Sequence, residues 1–580
     1  MNKKVIILSV IVILAIIAIV AIIINLVVDN NITLKFNKKM SKLEESLLND
    51  KQINYNKDSF CVFLSVSDGK SKSYVVSKKS KTLKDAIKDA KSAMARVIKQ
   101  DNISPEWVKI DVVNKEMQKT ISTVYGEIAA SKTNSYRYGI SFDEDYDIAF
   151  LENELNADKL INYKKKLFNT DNIRKYLSSK NKITKKAKLV SLPDKVYTFS
   201  TIGYIYDDKD VYKLNSDPEN MDDIGRREND GLDELNLIEI MEDGADYLVD
   251  ILQENGSYIY RYDAQDGKVS DTYNILRHEG TTWSLIEVYK ITKNKELKDA
   301  IEKAIEYVIE NNVKYKDDKT AYIIEEKNNE IKLGANGIGV VMLTEYMDTF
   351  ETNKYDDLLV KLGNGILSMQ NDNGSYYHVY GYPEFNKREE FRTVYYDGEA
   401  TFALSKIYGR TKDEKWLKRA KKSIDYFIKN NYTQYRDQWI EYSVNEVTKY
   451  DFNKKYIEFG LANGYDNLEE IVNASYEYPV NLELLTTCVE IYDRAVKNKI
   501  DVSDFNIKDI VSAVYYRSDI QLDGLFYPEV CMYFDNPERI VGSFFIRDNK
   551  FRIRIDDVQH NINGYYNMYK LYEAIEKYSK

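Results

Sequence analysis

Tyr273-Asn-Ile-Leu-Arg277-His278-Glu279-Gly-Thr-Thr-Trp283-Ser-Leu-Ile286-Glu-Val-Tyr289 is the stretch that decides how this chain is read. It begins with polar and titratable side chains. It then runs into an amphipathic helix with Trp283, Ile286 and Tyr289 on one face. The same plan returns at Tyr395-Tyr396-Asp397-Gly-Glu399-Ala400, at Asp437-Gln-Trp439-Ile-Glu441, at Glu477-Tyr478-Pro-Val-Asn481 and at Asp556-Asp557-Val-Gln-His560-Asn561. Each places reactive or hydrogen-bonding groups at the N-terminal end of a helix. Helices of this kind set parallel in a ring bring all those groups to one mouth.

Working outward, helix follows helix from residue 233 to the C-terminus, about twelve in all, or six antiparallel pairs. The spans read as helical are 235–253, 274–292, 296–312, 336–350, 355–370, 397–409, 413–430, 437–449, 467–474, 479–496, 507–516 and 559–578. Alternate members differ in kind. Residues 296–312 and 413–430 are charged with one apolar stripe, as outer helices are. Residues 336–350, 397–409 and 479–496 carry less charge, as inner helices do. Six outer and six inner helices predict an (α/α)6 toroid. Spacing between pairs is too irregular for a short-period solenoid.

The alternation, the Asn-Gly-Ser-Tyr turns at 255–258 and 373–376, and the helix start Tyr396-Asp397-Gly-Glu399-Ala400 resemble the six-hairpin glycosidase-like superfamily over residues 230–580. The closing Arg554-Ile-Asp556-Asp557-Val-Gln-His560-Asn561 is similar, over that short run, to the end of glucuronyl C5-epimerases. The resemblance implies a glycan-active enzyme whose cleft lies where the inner helices begin: a hydrolase, a polysaccharide lyase or a sugar epimerase.

Glycoside hydrolysis needs two carboxyl groups, one protonated and one ionised. Glu399, paired with Asp397 or Asp437, is the expected set. Asp397 and Asp437 also fit helix caps, since Asp accepts from first-turn N–H groups. A lyase or epimerase instead needs a base beside a neutralised carboxylate, and His278, Arg277 and Tyr396 suit those roles. The chain has 3 histidines. His278 and His560 stand at inner-helix starts and His378 follows an Asn-Gly turn. His278 and His560 are therefore expected to be catalytic and His378 to bind substrate, against the ordinary structural role of a lone histidine. Arg277, Tyr262, Tyr396, Trp439, Tyr478, Asn481 and Asp557 are the other expected substrate contacts. No metal motif and no cofactor fingerprint is visible.

The rest of the chain divides into segments. Lys3 and Lys4 precede an apolar run from Val5 to Val28, broken only by Ser9 and Asn25. That suffices for the roughly 20 residues of a bilayer-crossing helix and lacks a small-residue cleavage site. We therefore expect residues 1–28 to be a transmembrane anchor in the lipid bilayer, with the body outside the cell. Residues 29–54 read as a juxtamembrane stalk. Residues 55–215 read as a smaller α+β domain of structural or partner-binding role, 216–232 as a linker and 233–580 as the catalytic toroid. The fold class is thus mainly α. The net charge is -10 with mixed signs, which excludes a nucleic-acid partner. Cys61, Cys488 and Cys531 are far apart, which excludes a disulfide framework. The implied partner is a polysaccharide, together with the bilayer. The alternative is a non-catalytic glycan-binding scaffold among envelope-polymer assembly proteins.

Overall fold

The computed structural model describes residues 31–184, 189–216, 221–229 and 231–580. The expected membrane anchor, residues 5–28, lies outside the described residues. Among the described residues no helix is long and apolar enough to cross a membrane. The chain forms two compact units.

The first unit takes in the chain up to Glu228, together with residues 526–541 and 547–550. Its sheet is antiparallel, in the order β2 (Tyr74–Ser80), β1 (Phe60–Ser67), β3 (Trp107–Thr120), β8 (Lys195–Tyr206), β4 (Gly139–Ser141), β5 (Ala149–Phe150). A small hairpin, β6–β7 (Ile161–Asn162 and Leu167–Phe168), stands apart, and β9 (Val211–Lys213) pairs with β8. Helices α1 (residues 31–48) and α2 (Leu83–Asp101) bury one face, with α3 (Ile121–Ala130), α4 (Glu152–Ala157) and α5 (Thr170–Thr184) completing the unit. As the sequence predicts, Thr82 caps α2 by accepting from Asp85 N at 3.1 Å.

Two expectations fail here. Residues 31–48 are not a stalk: Phe36, Met40, Leu43 and Leu47 recur at helical spacing and pack into the same core as Val62, Leu64 and Ile110. Nor is the stretch ending at Glu228 a free linker. Arg227 is held by Glu529 (Nη2 to Oε2 2.8 Å) and Asp207 (Nη1 to Oδ2 2.9 Å). Glu529 belongs to the returning segment 526–541, which carries the short helix α18 (Pro528–Cys531). The core is completed by residues that lie hundreds of positions downstream, as in the Ser65–Tyr533 hydroxyl contact at 3.0 Å.

The second unit is mainly helical, with short antiparallel strands in the connections between helices. Its outer helices are α6 (Glu234–Asp250), α8 (Lys295–Asn311), α10 (Asp356–Met369), α12 (Glu414–Lys429), α14 (Lys454–Tyr465) and α17 (Ile507–Ile520). Its inner helices are α7 (Ile275–Thr292), α9 (Leu333–Thr349), α11 (Tyr395–Thr411), α13 (Gln438–Thr448), α16 (Val480–Lys497) and α19 (Ile555–Lys570). Short helices α15 (Leu468–Asn473) and α20 (Tyr572–Ser579) fill gaps. The inner helices touch in the order α7, α9, α11, α13, α16, α19 and back to α7. The ring is closed, and the toroid that the alternation predicts is present. The fifth outer helix is α14, not the expected 467–474. The inner helices approach closely: a Cβ on Gly398 of α11 would lie 2.6 Å from the Ile440 nitrogen of α13.

At the C-terminal ends of the inner helices a belt of charge closes the ring. Glu345 of α9 pairs with Lys290 of α7 and with Lys406 of α11, the latter at 2.6 Å. Lys449 pairs with Glu446 at 2.6 Å, and Glu490 of α16 with Lys570 of α19 at 2.9 Å. Burial works against the Glu345 charge, but Lys406 and Lys290 outweigh it and hold its carboxyl well below the usual range. Cations at helix C-termini also suit the helix dipole. The opposite end, where the inner helices begin, is left open.

Candidate active site

A cavity of about 430 Å³ lies at that open end. Its walls are the first turns of α7, α11, α13, α16 and α19, with Ile338 from α9. Convergent helix N-termini supply partial positive charge and unpaired N–H groups, which favours a polar or anionic ligand.

Seven of the thirteen expected site residues line this cavity: Glu399, His560, Arg277, Tyr396, Trp439, Tyr478 and Asp557. Glu399 is 2% exposed, and its Oε2 has no hydrogen-bond partner among the described residues. Burial, then the Asp437 carboxyl, push its pKa well above the ordinary value, and Arg277 only partly offsets them. The protonated form of Glu399 is thereby favoured. Behind it, wholly buried Glu279 is pushed up in the same way, by burial and by Glu325 and Glu399.

The facing wall is charged. Asp556 accepts from Arg277 Nε at 2.8 Å and from Arg554 Nη2 at 2.7 Å. Burial opposes its charge, but the two guanidinium groups prevail and hold Asp556 ionised. Asp557 is clamped by Arg552 Nη2, 2.9 Å from both its oxygens, and accepts from Arg554 N at 3.1 Å. This chelation fixes the start of α19 against the strand Arg552–Arg554. His560 Nδ1 lies 2.7 Å from Glu483 Oε1. Burial lowers the affinity of that ring for a proton, but Glu483, Asp556 and Asp557 outweigh it, and its pKa is raised. Trp439 and Tyr396 are nearly buried in the wall, while Tyr395 and Tyr478 are 47% and 58% exposed at the rim. Aromatic faces of this kind suit sugar rings.

Six expected residues do not line the cavity. His278 is wholly buried. Its Nδ1 lies 2.7 Å from the Tyr273 hydroxyl and its Nε2 2.9 Å from the Ala304 carbonyl of α8. Burial lowers its pKa to about 4, so it is a neutral tie between α7 and α8. His378 and Asp397 are spent on each other at 3.4 Å, and His378 Nδ1 accepts from Arg392 N at 2.9 Å. Asp397 also accepts from the Tyr432 hydroxyl at 3.2 Å. Asp437 caps α13, accepting from Trp439 N at 3.0 Å. Burial raises its pKa to about 8, although the Trp439 N–H opposes this. Tyr262 is buried in the strand Arg261–Asp263, and Asn481, the second residue of α16, is off the lining.

Asp556 and Glu477, which the sequence places among the candidate carboxyl groups at the mouth, also line the cavity, as do Tyr395, Arg554, Gln438 and Gln559, which were not among the expected set. Asp556 stands beside Asp557 in the sequence, and only the rotation of α19 separates their partners. Among the described residues no group of three or more His, Cys, Asp or Glu side chains is arranged to hold a metal ion.

The closed ring decides the fold. It is an (α/α)6 toroid. No protein-family model matches the chain and no curated protein matches it. It is similar to several solved structures at low identity. One is a cellobiose 2-epimerase from Bacillus thermoamylovorans (13% identity, TM-score 0.44, 58% of this chain and 99% of that one). A second is a GH76 α-mannanase from Bacteroides thetaiotaomicron (14% identity, TM-score 0.42, 58% and 97%). A third is an unsaturated glucuronyl hydrolase specific for heparin (9% identity, TM-score 0.43, 58% and 98%).

Proposed function

We propose that this toroid is a carbohydrate-active enzyme, that its cavity is the active site, and that its reaction is glycoside hydrolysis. The observation that carries this is a pair of carboxyl groups on one aromatic-lined cavity whose surroundings push their pKa values in opposite directions. Burial raises the pKa of Glu399, and the Arg277 and Arg554 guanidinium groups lower that of Asp556. In this reading Glu399 protonates the glycosidic oxygen, and the Asp556 carboxylate supports the developing positive charge or the attacking water. Trp439 and Tyr396 hold the reacting sugar, and the exposed Tyr395 and Tyr478 hold its neighbours. Asp397 and Asp437 have no part in it, because one holds His378 and the other caps a helix.

A second reading, sugar epimerisation or elimination, is favoured by one observation. His560 reaches the cavity with Nδ1 already taken by Glu483 and with Arg277 and Arg554 nearby. That is a proton-carrying ring beside groups suited to a uronic carboxylate.

The full chain is incubated with a panel of envelope and uronic-acid polysaccharides in heavy-oxygen water and in D2O, and products are read by mass spectrometry. Hydrolysis gives shorter chains that carry the heavy oxygen. Epimerisation gives deuterium uptake without shortening, and elimination gives unsaturated ends. Binding to one polymer with no product would overturn both readings in favour of the scaffold alternative. The run from Val5 to Val28 supports a membrane anchor with the toroid outside the cell. Protease added to intact cells should then digest the toroid, and full protection would overturn that placement.

A further inference from the structure

We propose that Glu483 on α16 is the positioning residue for His560, holding Nδ1–H so that Nε2 is the atom that exchanges a proton in the cavity. The proposal deepens the reading of this cavity as an active site and rests on it. Glu483 has no solvent exposure. One oxygen lies 2.7 Å from His560 Nδ1 and the other accepts from the Tyr442 hydroxyl at 2.7 Å. That hydroxyl in turn accepts from Asn567 Nδ2 at 2.9 Å. Three inner helices, α13, α16 and α19, thus converge on one carboxylate.

An ionised carboxylate only accepts, so the short contact puts a proton on Nδ1. Glu483 differs from the carboxylates near it. Asp556 has Arg277 and Arg554, and Asp557 has Arg552 and Arg554. Glu483 hydrogen-bonds no guanidinium among the described residues and takes its bonds from His560 and Tyr442. A buried carboxylate needs a countercharge, and the imidazolium is the group in contact with it. The groups facing His560 are therefore Glu483 from α16, the Trp439 ring from α13, and Asp556 and Asp557 from its own helix. Arg277 of α7 and Arg554 are tied to those aspartates. Trp439 stands edge-on at 6.0 Å and limits the tilt of the imidazole.

With Nδ1–H fixed, the chemistry at Nε2 is defined. Giving the Nε2 proton to a substrate oxygen leaves the neutral Nδ1–H tautomer, still bonded to Glu483. Taking a proton back at Nε2 restores the imidazolium. Second-sphere carboxylates set histidine tautomers in this way.

The test is carbethoxylation by diethyl pyrocarbonate, which attacks the neutral ring. It is read at each histidine by peptide mass spectrometry on the full chain, from about pH 5 to 8. His278 and His378 are 0% and 1% exposed, so His560 is the reporter. In the wild type the His560 midpoint should lie above the ordinary value of about 6.5. Glu483→Gln should shift it below that value, and Glu483→Asp, which keeps the charge but shortens the reach, should fall between. An unchanged midpoint in Glu483→Gln overturns the proposal. If Glu483→Gln does not fold, Glu483→Asp decides: a lowered midpoint supports the pairing and an unchanged one overturns it. The titration needs no substrate. If the midpoint shifts as expected while His560→Gln leaves glycan turnover intact, the catalytic role of His560 fails but the pairing stands.

Discussion

Gly334→Ala probes the assignment of Glu399 without touching its side chain. Gly334 lies in the first turn of α9, against the start of α11. A Cβ there would lie 2.0 Å from Glu399 Oε2, 2.5 Å from Tyr396 Cδ1 and 2.7 Å from Leu276 Cδ1. Ordinary contact begins at 3.4 Å, so the carboxyl oxygen must retreat by 3.4 minus 2.0, or 1.4 Å. A misplacement of about 1 Å costs on the order of 100-fold in rate. That corresponds to about 2.7 kcal/mol of transition-state stabilisation. The stability cost is smaller. Overpacking costs about 1–3 kcal/mol, and replacing a helical glycine returns up to about 1 kcal/mol. The assay is kcat/KM on the glycan found in the polysaccharide panel, beside a thermal melt. Glu399→Gln should match or exceed the rate loss with little change in Tm. Gly365→Ala is the control: its Cβ would lie 2.5 Å from the Ala321 carbonyl and 3.0 Å from the Tyr322 ring, neither of which lines the cavity, so it should lower Tm and spare turnover. A folded Gly334→Ala protein with wild-type kcat/KM would refute the placement of Glu399 in the reaction.

Two further predictions concern the frame. Glu345→Gln strands Lys290 and Lys406 in the closing belt and should cost about 3–5 kcal/mol, read by chemical denaturation; a loss under about 1 kcal/mol would mean the belt is not structural. Glu345 and Glu490, the latter lowered to about 2 where Lys570, Lys449 and Arg494 outweigh its burial, have folded pKa values below their unfolded ones. Their contribution is present above the unfolded value of about 4.3 and is lost as pH falls through the folded values, so the wild-type Tm should drop on acidification and Glu345→Gln should drop less. Asp437 behaves oppositely, because burial lifts its folded pKa to about 8. Between its unfolded value of about 3.9 and the folded one the native state binds more protons, so this group makes stability fall as pH rises. Asp437→Asn, which still caps α13, should therefore raise Tm at pH 8 relative to wild type and change it little at pH 4; equal effects at both would refute the shift.

By itself the sequence determined the toroid and the end at which its cavity opens. Helical period, apolar stripes and caps such as Thr82 and Asp437 are local, and each is legible within a few turns. The recurring polar starts at Arg277, Glu399, Trp439, Tyr478 and Asp557 were enough to place the cavity. The tertiary structure decided which of two neighbouring residues faces it. Successive residues on a helix point 100° apart, so Arg277 meets the cavity while His278 meets α8, and Glu399 meets it while Asp397 meets His378. That rotation is set by packing between helices far apart in sequence, and no local pattern encodes it. The same holds for Arg227, whose partner Glu529 lies in a segment returning from beyond α17, and for α14, where Gly460, Asn463 and Gly464 blur the apolar stripe. Local energetics choose the elements; long-range contacts choose their faces, and the charge state of Glu399 and Asp556 exists only once those faces have met.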